Sequence, residues 1–291
     1  MTAPELAAAD ALISLALAED LDGRGDITSQ HFIPANHRSL GRIMARQSLA
    51  LCGVEVSRRV FATVDPDLEI HCLAKDGDAL ERGQTVLTVV GSTQSILSAE
   101  RTALNFLQRL SGVATLTRRH VSALAGSKTK LLDTRKTTPG WRLLEKAAVR
   151  AGGGVNHRIG LHDAVMVKDN HLVAGGTVDE LRAGIDRVRG ACGPVKIEVE
   201  ADRLDQVRAF LTVPGIDVIL LDNMGAGMLR EAVALRNAAG SAILLEASGG
   251  VTLETLSDLA ATGVDFISVG ALTHSATAVD LALDLETLPA S

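Results

Sequence analysis

From Gly112 onward the chain alternates short apolar runs with stretches of helical periodicity, and this alternation restricts the fold more than any other feature. The runs lie at residues 129–132, 164–167, 195–199, 216–221, 242–246 and 265–269. Each is short and mostly apolar, as strands covered on both faces are. Between them, apolar residues recur at helical spacing, for example from Leu204 to Leu211, from Leu229 to Asn237 and from Leu253 to Ala261. Such strand–helix repetition builds a parallel sheet, and its persistence favours a barrel. The six runs fall short of the eight strands of a complete (β/α)8 barrel, so an incomplete or irregular barrel is expected.

In barrels of this kind the residues just past the C-terminal ends of the strands carry the chemistry. Here those ends read Asp133-Thr134-Arg135-Lys136, Lys168-Asp169-Asn170, Glu198 and Glu200, Asp222-Asn223, Glu246-Ala247-Ser248-Gly249-Gly250 and Gly270-Ala271. Between Arg135 and Lys168 fall Lys136, Arg142, Lys146, Arg150, His157 and Arg158, a dense basic group in a chain of formal net charge −6. Cations on the early strands predict a multiply anionic ligand. Carboxylates on the middle strands predict a metal-bound or cationic centre beside it. The Gly152-Gly153-Gly154 run reads as a flexible loop that lets His157 and Arg158 reach the site.

The first ninety residues read as a small α+β unit with no catalytic constellation of their own. Thr2 and Glu5 fit a capping box, and Leu6, Ile13, Leu17 and Leu21 follow at helical spacing. A turn at Gly23–Thr28, a strand-like stretch at 39–52, a helical pattern from Val54 to Val64 and β-type sequence from Leu68 to Val90 complete it. Ser92 is placed to cap a long helix reaching about Leu110. Arg101 borders the apolar face of that helix and Glu100 falls nearer its middle, where a half-buried charged pair is ordinarily an internal salt bridge.

Several site residues admit two roles. Ser248-Gly249-Gly250, ahead of a helix expected near Thr252, and Gly270-Ala271, ahead of one near His274, can cradle a phosphate at a helix N-terminus or serve as ordinary loop glycines. Glu200 and Asp222 can hold Mg²⁺ or accept from ribose hydroxyls; equally, they can pair with lysines at the barrel mouth. His157 beside Arg158 can act as acid–base catalyst or orient an anion.

Composition removes other classes of function. Aromatic residues make up 2% of the chain and Tyr is absent, which argues against stacking platforms for single-stranded nucleic acid. Basic and acidic residues number 29 and 35, so no global attraction to nucleic acid or anionic membrane is expected. No apolar stretch approaches the roughly 20 residues of a membrane span. Residues 1–21 are interrupted by Glu5, Asp10, Glu19 and Asp20, unlike a signal peptide. The three cysteines, Cys52, Cys72 and Cys192, lack metal-type spacing and fit a reduced, cytoplasmic protein.

Taken in order, the motifs resemble those of the quinolinate phosphoribosyltransferase family over essentially the whole length. They are Glu19-Asp20 with Gly25 to Thr28, AERTALNFLQRLSGVAT (Ala99 to Thr115), DTRKTTPG (Asp133 to Gly140), GGGVNHRIGLHDAVMVKDNH (Gly152 to His171), Glu198 with Glu200, LLDN (Leu220 to Asn223), Glu246 to Gly250 and VGALTHS (Val269 to Ser275). The resemblance implies an N-terminal α/β sandwich at 1–115, completed by the C-terminal tail 276–291, and an open seven-stranded α/β barrel at 116–275. It further implies transfer of phosphoribosyl from phosphoribosyl pyrophosphate to quinolinate with decarboxylation, a step of NAD biosynthesis, with Mg²⁺ as cofactor. A homodimer with shared active sites follows from it too, with Arg101 reaching the partner's site and so displacing the internal salt-bridge role.

By the same resemblance Thr134, Arg135, Lys136, His157, Arg158 and Lys168 line the quinolinate pocket. Glu200 and Asp222 serve the ribose and Mg²⁺. Ser248, Gly249 and Gly250, with Val269, Gly270 and Ala271, hold the 5′-phosphate; Lys136, Glu200 and Asp222 are the implied catalytic residues. Trp141 departs from the smaller aliphatic residue expected there and is assigned to packing. A molybdenum-transport paralogue, a nicotinate phosphoribosyltransferase and a silent anion-binding subunit are the rivals. The full cation set disfavours the first two, and the acidic pair with the phosphate turns disfavours the third.

Overall fold

The computed structural model describes residues 1–168, 171 and 177–288. The chain opens with helices α1 (Ala3–Leu21) and α2 (Ile27–Phe32), strands β1 (Arg38–Ala45) and β2 (Leu49–Ala50), and helix α3 (Val54–Val64). Strands β3 (Glu69–Cys72), β4 (Ala79–Leu80) and β5 (Thr85–Ser92) lead into the long helix α4 (Thr93–Ala123). The alternating part comprises β6 (Lys130–Leu132), α5 (Arg142–Ala151), β7 (Ala164–Val167), α6 (Val178–Cys192), β8 (Lys196–Ala201) and α7 (Leu204–Phe210). It continues through β9 (Val218–Asp222), α8 (Ala226–Ala238), β10 (Leu244–Ser248), α9 (Leu256–Ala260), β11 (Phe266–Ser268) and α10 (Ala271–His274), and β12 (Leu281–Thr287) follows.

Two compact units result. The first joins Met1–Arg118, Thr137–Gly153 and Ala271–Ser291; the second joins Arg119–Lys136 and Gly154–Gly270. These limits differ from a division into 1–115 with 276–291 and 116–275, because α5 is tied into the first unit. Arg150 Nη2 donates to Glu5 Oε1 at 2.7 Å, and Arg109 Nη2 donates to Glu145 Oε1 at 2.7 Å.

The first unit holds an antiparallel sheet of order β12-β1-β5-β3. Its edge strand comes from the far end of the chain: β12 runs beside β1 from Ser39↔Thr287 to Ala45↔Leu281. Glu5 Oε2 accepts from Thr2 N at 2.8 Å, so the N-terminal capping contact forms as the sequence requires. Helix α4 runs well past the expected stop near Leu110. Gly112 does not end it; a Cβ there would lie 2.1 Å from the Thr277 carbonyl oxygen, so the glycine admits the tail against the helix. Gly152 is likewise a packing residue and not a hinge, since a Cβ would meet Ala114 O at 2.5 Å and Thr117 Cβ at 2.6 Å. Trp141 stacks on Phe106, centroids 4.9 Å apart.

The second unit is a parallel sheet of order β6-β11-β10-β9-β8-β7. The order of β7 to β11 follows the sequence, and β6 closes onto β11 rather than onto β7. Beyond the six named strands, Val155 adds one parallel bridge to Leu132, with Val155 N donating to Leu131 O at 2.9 Å. The barrel is therefore open beside β7. One face of the strands is the core under the helices: Ile197, Val199, Ile219, Leu221, Leu245, Ala247 and Ile267 are all buried. Side chains alternate along a strand, so Glu198, Glu200, Leu220, Asp222, Glu246 and Ser248 share the opposite, inner face.

Candidate active site

That inner face opens into a cavity of ≈ 380 Å³ at the C-terminal ends of the strands. It is lined by Thr134, Arg135 and Lys136 after β6, by His157 and Arg158 from the following loop, and by Met166 and Lys168 of β7 and its end. Glu200, Leu220, Asp222, Glu246, Ser248 and Ser268 complete it from the remaining strands. The volume suits a small-molecule ligand. Thr134 Oγ1 accepts from Lys136 N at 3.0 Å, which shapes the turn that presents Arg135 and Lys136.

The basic group read from the sequence splits in two. Arg142 Nε donates to Thr137 Oγ1 at 3.0 Å, Lys146 is buried within α5, and Arg150 pairs with Glu5. These three belong to the first unit and do not line the cavity. Arg158 behaves differently. Its Nη1 donates to Ala164 O at 3.3 Å and its Nη2 lies 3.4 Å from Met166 Sδ, with no carboxylate at ion-pair distance among the described residues. Burial and the neighbouring Arg135 guanidinium both pull its pKa below the ordinary value. A half-buried, cation-flanked guanidinium of this kind is a receptor for a carboxylate or phosphate.

Lys168 Nζ forms an ion pair with Glu200 Oε2. Of the two roles open to Glu200, pairing with a barrel-mouth lysine is realised. Asp222 instead accepts from Asn223 Nδ2 at 2.7 Å. Glu200 and Asp222 face the same cavity from adjacent strands and offer the hard oxygen donors that Mg²⁺ takes alongside substrate phosphates; as a donor set they fit. A second group, His157, Glu198 and Glu246, brings three ligand-type atoms within 4.8 Å of one another. There His157 Nε2 lies 3.0 Å from Glu198 Oε2 and 3.3 Å from Glu246 Oε2, both within ion-pair distance.

His157 is clamped from its backbone as well, since its N donates to Asp133 Oδ1 at 2.7 Å while Asn156 Nδ2 donates to Asp133 Oδ2 at 2.8 Å. Burial pulls the imidazole pKa down, but the two carboxylates outweigh it and raise the value to about 9. The Arg158 amide, 2.8 Å from Nδ1, favours the singly protonated ring. Two carboxylates outweigh one neutral amide, because charge-assisted contacts are about twice as strong as neutral ones.

Of the two glycine turns, one leads directly into a helix and the other does not. Asn223 N donates to Ser248 O at 2.8 Å, and a Cβ at Gly249 (φ +93°) would strike Asn223 Oδ1 at 2.1 Å. Gly250 also has positive φ, +59°, with open space around its Cα. The next helix starts at Leu256 and not near Thr252, because Thr252 N bonds to Thr255 Oγ1 at 3.1 Å in an intervening turn. Gly270 does lead directly into α10, and Val269 N donates to Leu132 O at 3.0 Å. Ser248 lines the cavity; Gly249, Gly250, Val269, Gly270 and Ala271 are not among its lining residues.

Arg101 lies in the first unit, exposed, in a cavity of ≈ 230 Å³ with Glu19, Asp20, Asn105, Phe106 and Trp141. It forms no ion pair with Glu100, so the internal salt bridge expected there is absent among the described residues. Asp169 and Asn170, read as part of a strand end, lie outside the described residues. Sequence reasoning left Met166, Leu220 and Ser268 out of the site, and gave Glu198 and Glu246 no role beyond strand-end residues. Counting back two residues from Lys168, Glu200, Asp222, Ser248 and Gly270 finds all five.

An open parallel barrel with a cation-rich, partly acidic cavity at its strand ends defines an α/β enzyme acting on small polyanions. The model of the quinolinate phosphoribosyl transferase C-terminal domain matches residues 113–284, and that of the N-terminal domain matches residues 26–111. The chain belongs to the quinolinate phosphoribosyl transferase family. It is 44% identical over 284 residues to the nicotinate-nucleotide pyrophosphorylase [carboxylating] of Mycobacterium leprae, covering 97% of this chain and 98% of that protein. A probable nicotinate-nucleotide pyrophosphorylase [carboxylating] of Synechocystis is 42% identical over 273 residues, covering 92% and 90%. The solved structure of NadC from Streptococcus pyogenes superposes with TM-score 0.89 at 37% identity, covering 96% of this chain and 97% of that one. Among the described residues, no helix is long and apolar enough to cross a membrane.

Proposed function

We propose that the chain is a decarboxylating quinolinate phosphoribosyltransferase of NAD biosynthesis, and that the ≈ 380 Å³ cavity is where it works. The observation that carries this assignment is Arg158, a cavity-facing guanidinium with no carboxylate of its own among the described residues. Quinolinate brings two adjacent carboxylates. Arg135, Lys136, His157, Arg158 and Lys168 neutralise them, with Thr134 shaping the turn and Arg158 suited to bidentate contact. Ser248, Gly249 and Gly250 and the Val269-Gly270-Ala271 turn hold the 5′-phosphate of phosphoribosyl pyrophosphate.

The pyridine nitrogen attacks the anomeric carbon, and the bond from that carbon to pyrophosphate breaks. Glu200 and Asp222 bind the ribose hydroxyls and stabilise positive charge developing on the sugar; Lys136 accompanies the leaving pyrophosphate. The same two carboxylates would hold Mg²⁺, which would offset pyrophosphate charge. Once the nitrogen is quaternary, the adjacent C–CO₂ bond breaks. Its electron pair stays on the ring carbon beside the positive nitrogen and then takes a proton from water. The products are nicotinate mononucleotide, pyrophosphate and CO₂.

The same reading includes a homodimer in which Arg101 enters the partner's cavity. It also includes a cytoplasmic setting, with which three cysteines outside any disulfide are compatible. Two measurements test these points. Purified protein with Mg²⁺ and phosphoribosyl pyrophosphate is expected to release CO₂ from quinolinate and leave nicotinate unconsumed; no CO₂ release sinks the assignment. Verified heterodimers of Arg101→Ala with Lys168→Ala subunits are expected to regain part of the activity. No rescue returns Arg101 to its own subunit.

A further inference from the structure

Glu198 and Glu246 have no part in the chemistry above, yet they sit two residues below its acidic and phosphate-binding positions: Glu246 lines the catalytic cavity, and Glu198 lies behind its wall against His157. They are 2% and 0% exposed, and Asp133 is 0% exposed. Removing a carboxylate from water is costly unless it is paired, and even a well-made buried ion pair stabilises a fold poorly against apolar residues of similar size. The opposite face of the same strands shows the apolar alternative, with Ile197, Val199, Leu245 and Ala247 all buried. Three buried acids from β8, β10 and the end of β6 nevertheless converge on one histidine. Glu198 and Glu246 take its Nε2 from two sides, at 3.0 and 3.3 Å, and Asp133 takes its backbone N at 2.7 Å. The next residue in the chain is Arg158, whose side chain, among the described residues, bonds only to a carbonyl at 3.3 Å and a thioether at 3.4 Å. Its side chain is thus aimed by the clamp on its neighbour more than by its own contacts.

We propose that Glu198 and Glu246 are positioning residues: they fix the His157 ring so that the His157–Arg158 edge meets a carboxylate of the pyridine substrate at a set angle. The assignment rests on quinolinate being that substrate. It is tested by Glu246→Gln and Glu198→Gln in the full-length protein, with separate KM values for quinolinate and phosphoribosyl pyrophosphate, kcat and Tm. Each variant is expected to raise KM for quinolinate about tenfold, the worth of one charge-assisted contact. KM for phosphoribosyl pyrophosphate should stay within about twofold, and wild-type and variant Tm should remain close.

Glu246→Asp keeps the charge with a shorter reach and should recover part of the quinolinate KM, and it serves if the amide variant does not fold. An unchanged quinolinate KM overturns the proposal. So does a parallel rise in both KM values with a falling Tm, which marks a purely structural pair. Absence of CO₂ release by the wild-type protein is a different failure, that of the substrate assignment.

Discussion

Two neighbouring stretches, 137–153 and 154–168, look equally basic in sequence and do opposite things with their charge. In the first, Arg142 is used on Thr137, Lys146 is buried in its helix, and Arg150 is spent on Glu5 across to α1. In the second, His157 and Arg158 face the cavity, and Lys168 stands at its rim against Glu200. The difference lies in partners, not in density. Arg142 and Arg150 are matched within their own unit, whereas Arg158 has no carboxylate at ion-pair distance among the described residues and stands open to a ligand.

The sharpest way to break this contrast is Arg158→Ala. It should lower kcat/KM for quinolinate by about a thousandfold, as expected for losing a bidentate charge-assisted contact, with little change in Tm. Loss of Tm with preserved kcat/KM would move Arg158 to the structural set.

The pH dependence of stability is an intermediate effect. His157 has a folded pKa raised from 6.5 to about 9, so its stabilisation is complete below pH 6.5 and is lost as pH rises through about 9. The change is at most about 3 kcal/mol. Denaturant unfolding between pH 6 and 10 should show that decline, and His157→Gln should flatten it; an unchanged slope would contradict the clamp.

The smallest effect belongs to Arg150→Ala. Its partner Glu5 is buried but the arginine is 42% exposed, so the loss should be about 1 kcal/mol or less. That corresponds to a Tm shift of about 2–4 °C, with kcat/KM within about twofold of wild type.

Much of this was legible in the chain. The six apolar runs became β6 to β11, each within two residues or so of its expected limits, because short, mostly apolar strands between helical stretches carry a strong signal. The cavity's rim was legible for the same reason, since polar residues must follow such strands. What stayed hidden depended on close approach in three dimensions. Gly112 and Gly152 read as a break and a hinge, yet each admits a backbone or side-chain atom within 2.5 Å of where a Cβ would sit. The pairing of Lys168 with Glu200 joins residues 32 apart in sequence, and no local pattern announces it. Glu198 and Glu246 were visible as strand-end letters, but only the inner-face alternation makes them a pair around His157.

Titration calorimetry of quinolinate into wild-type protein, Arg158→Ala and Arg150→Ala tests the contrast most directly. Wild type and Arg150→Ala should give matching isotherms, and Arg158→Ala should show binding weakened by two or more orders of magnitude, about 3 kcal/mol or more. Quinolinate binding that survives in Arg158→Ala and is lost in Arg150→Ala would contradict the account.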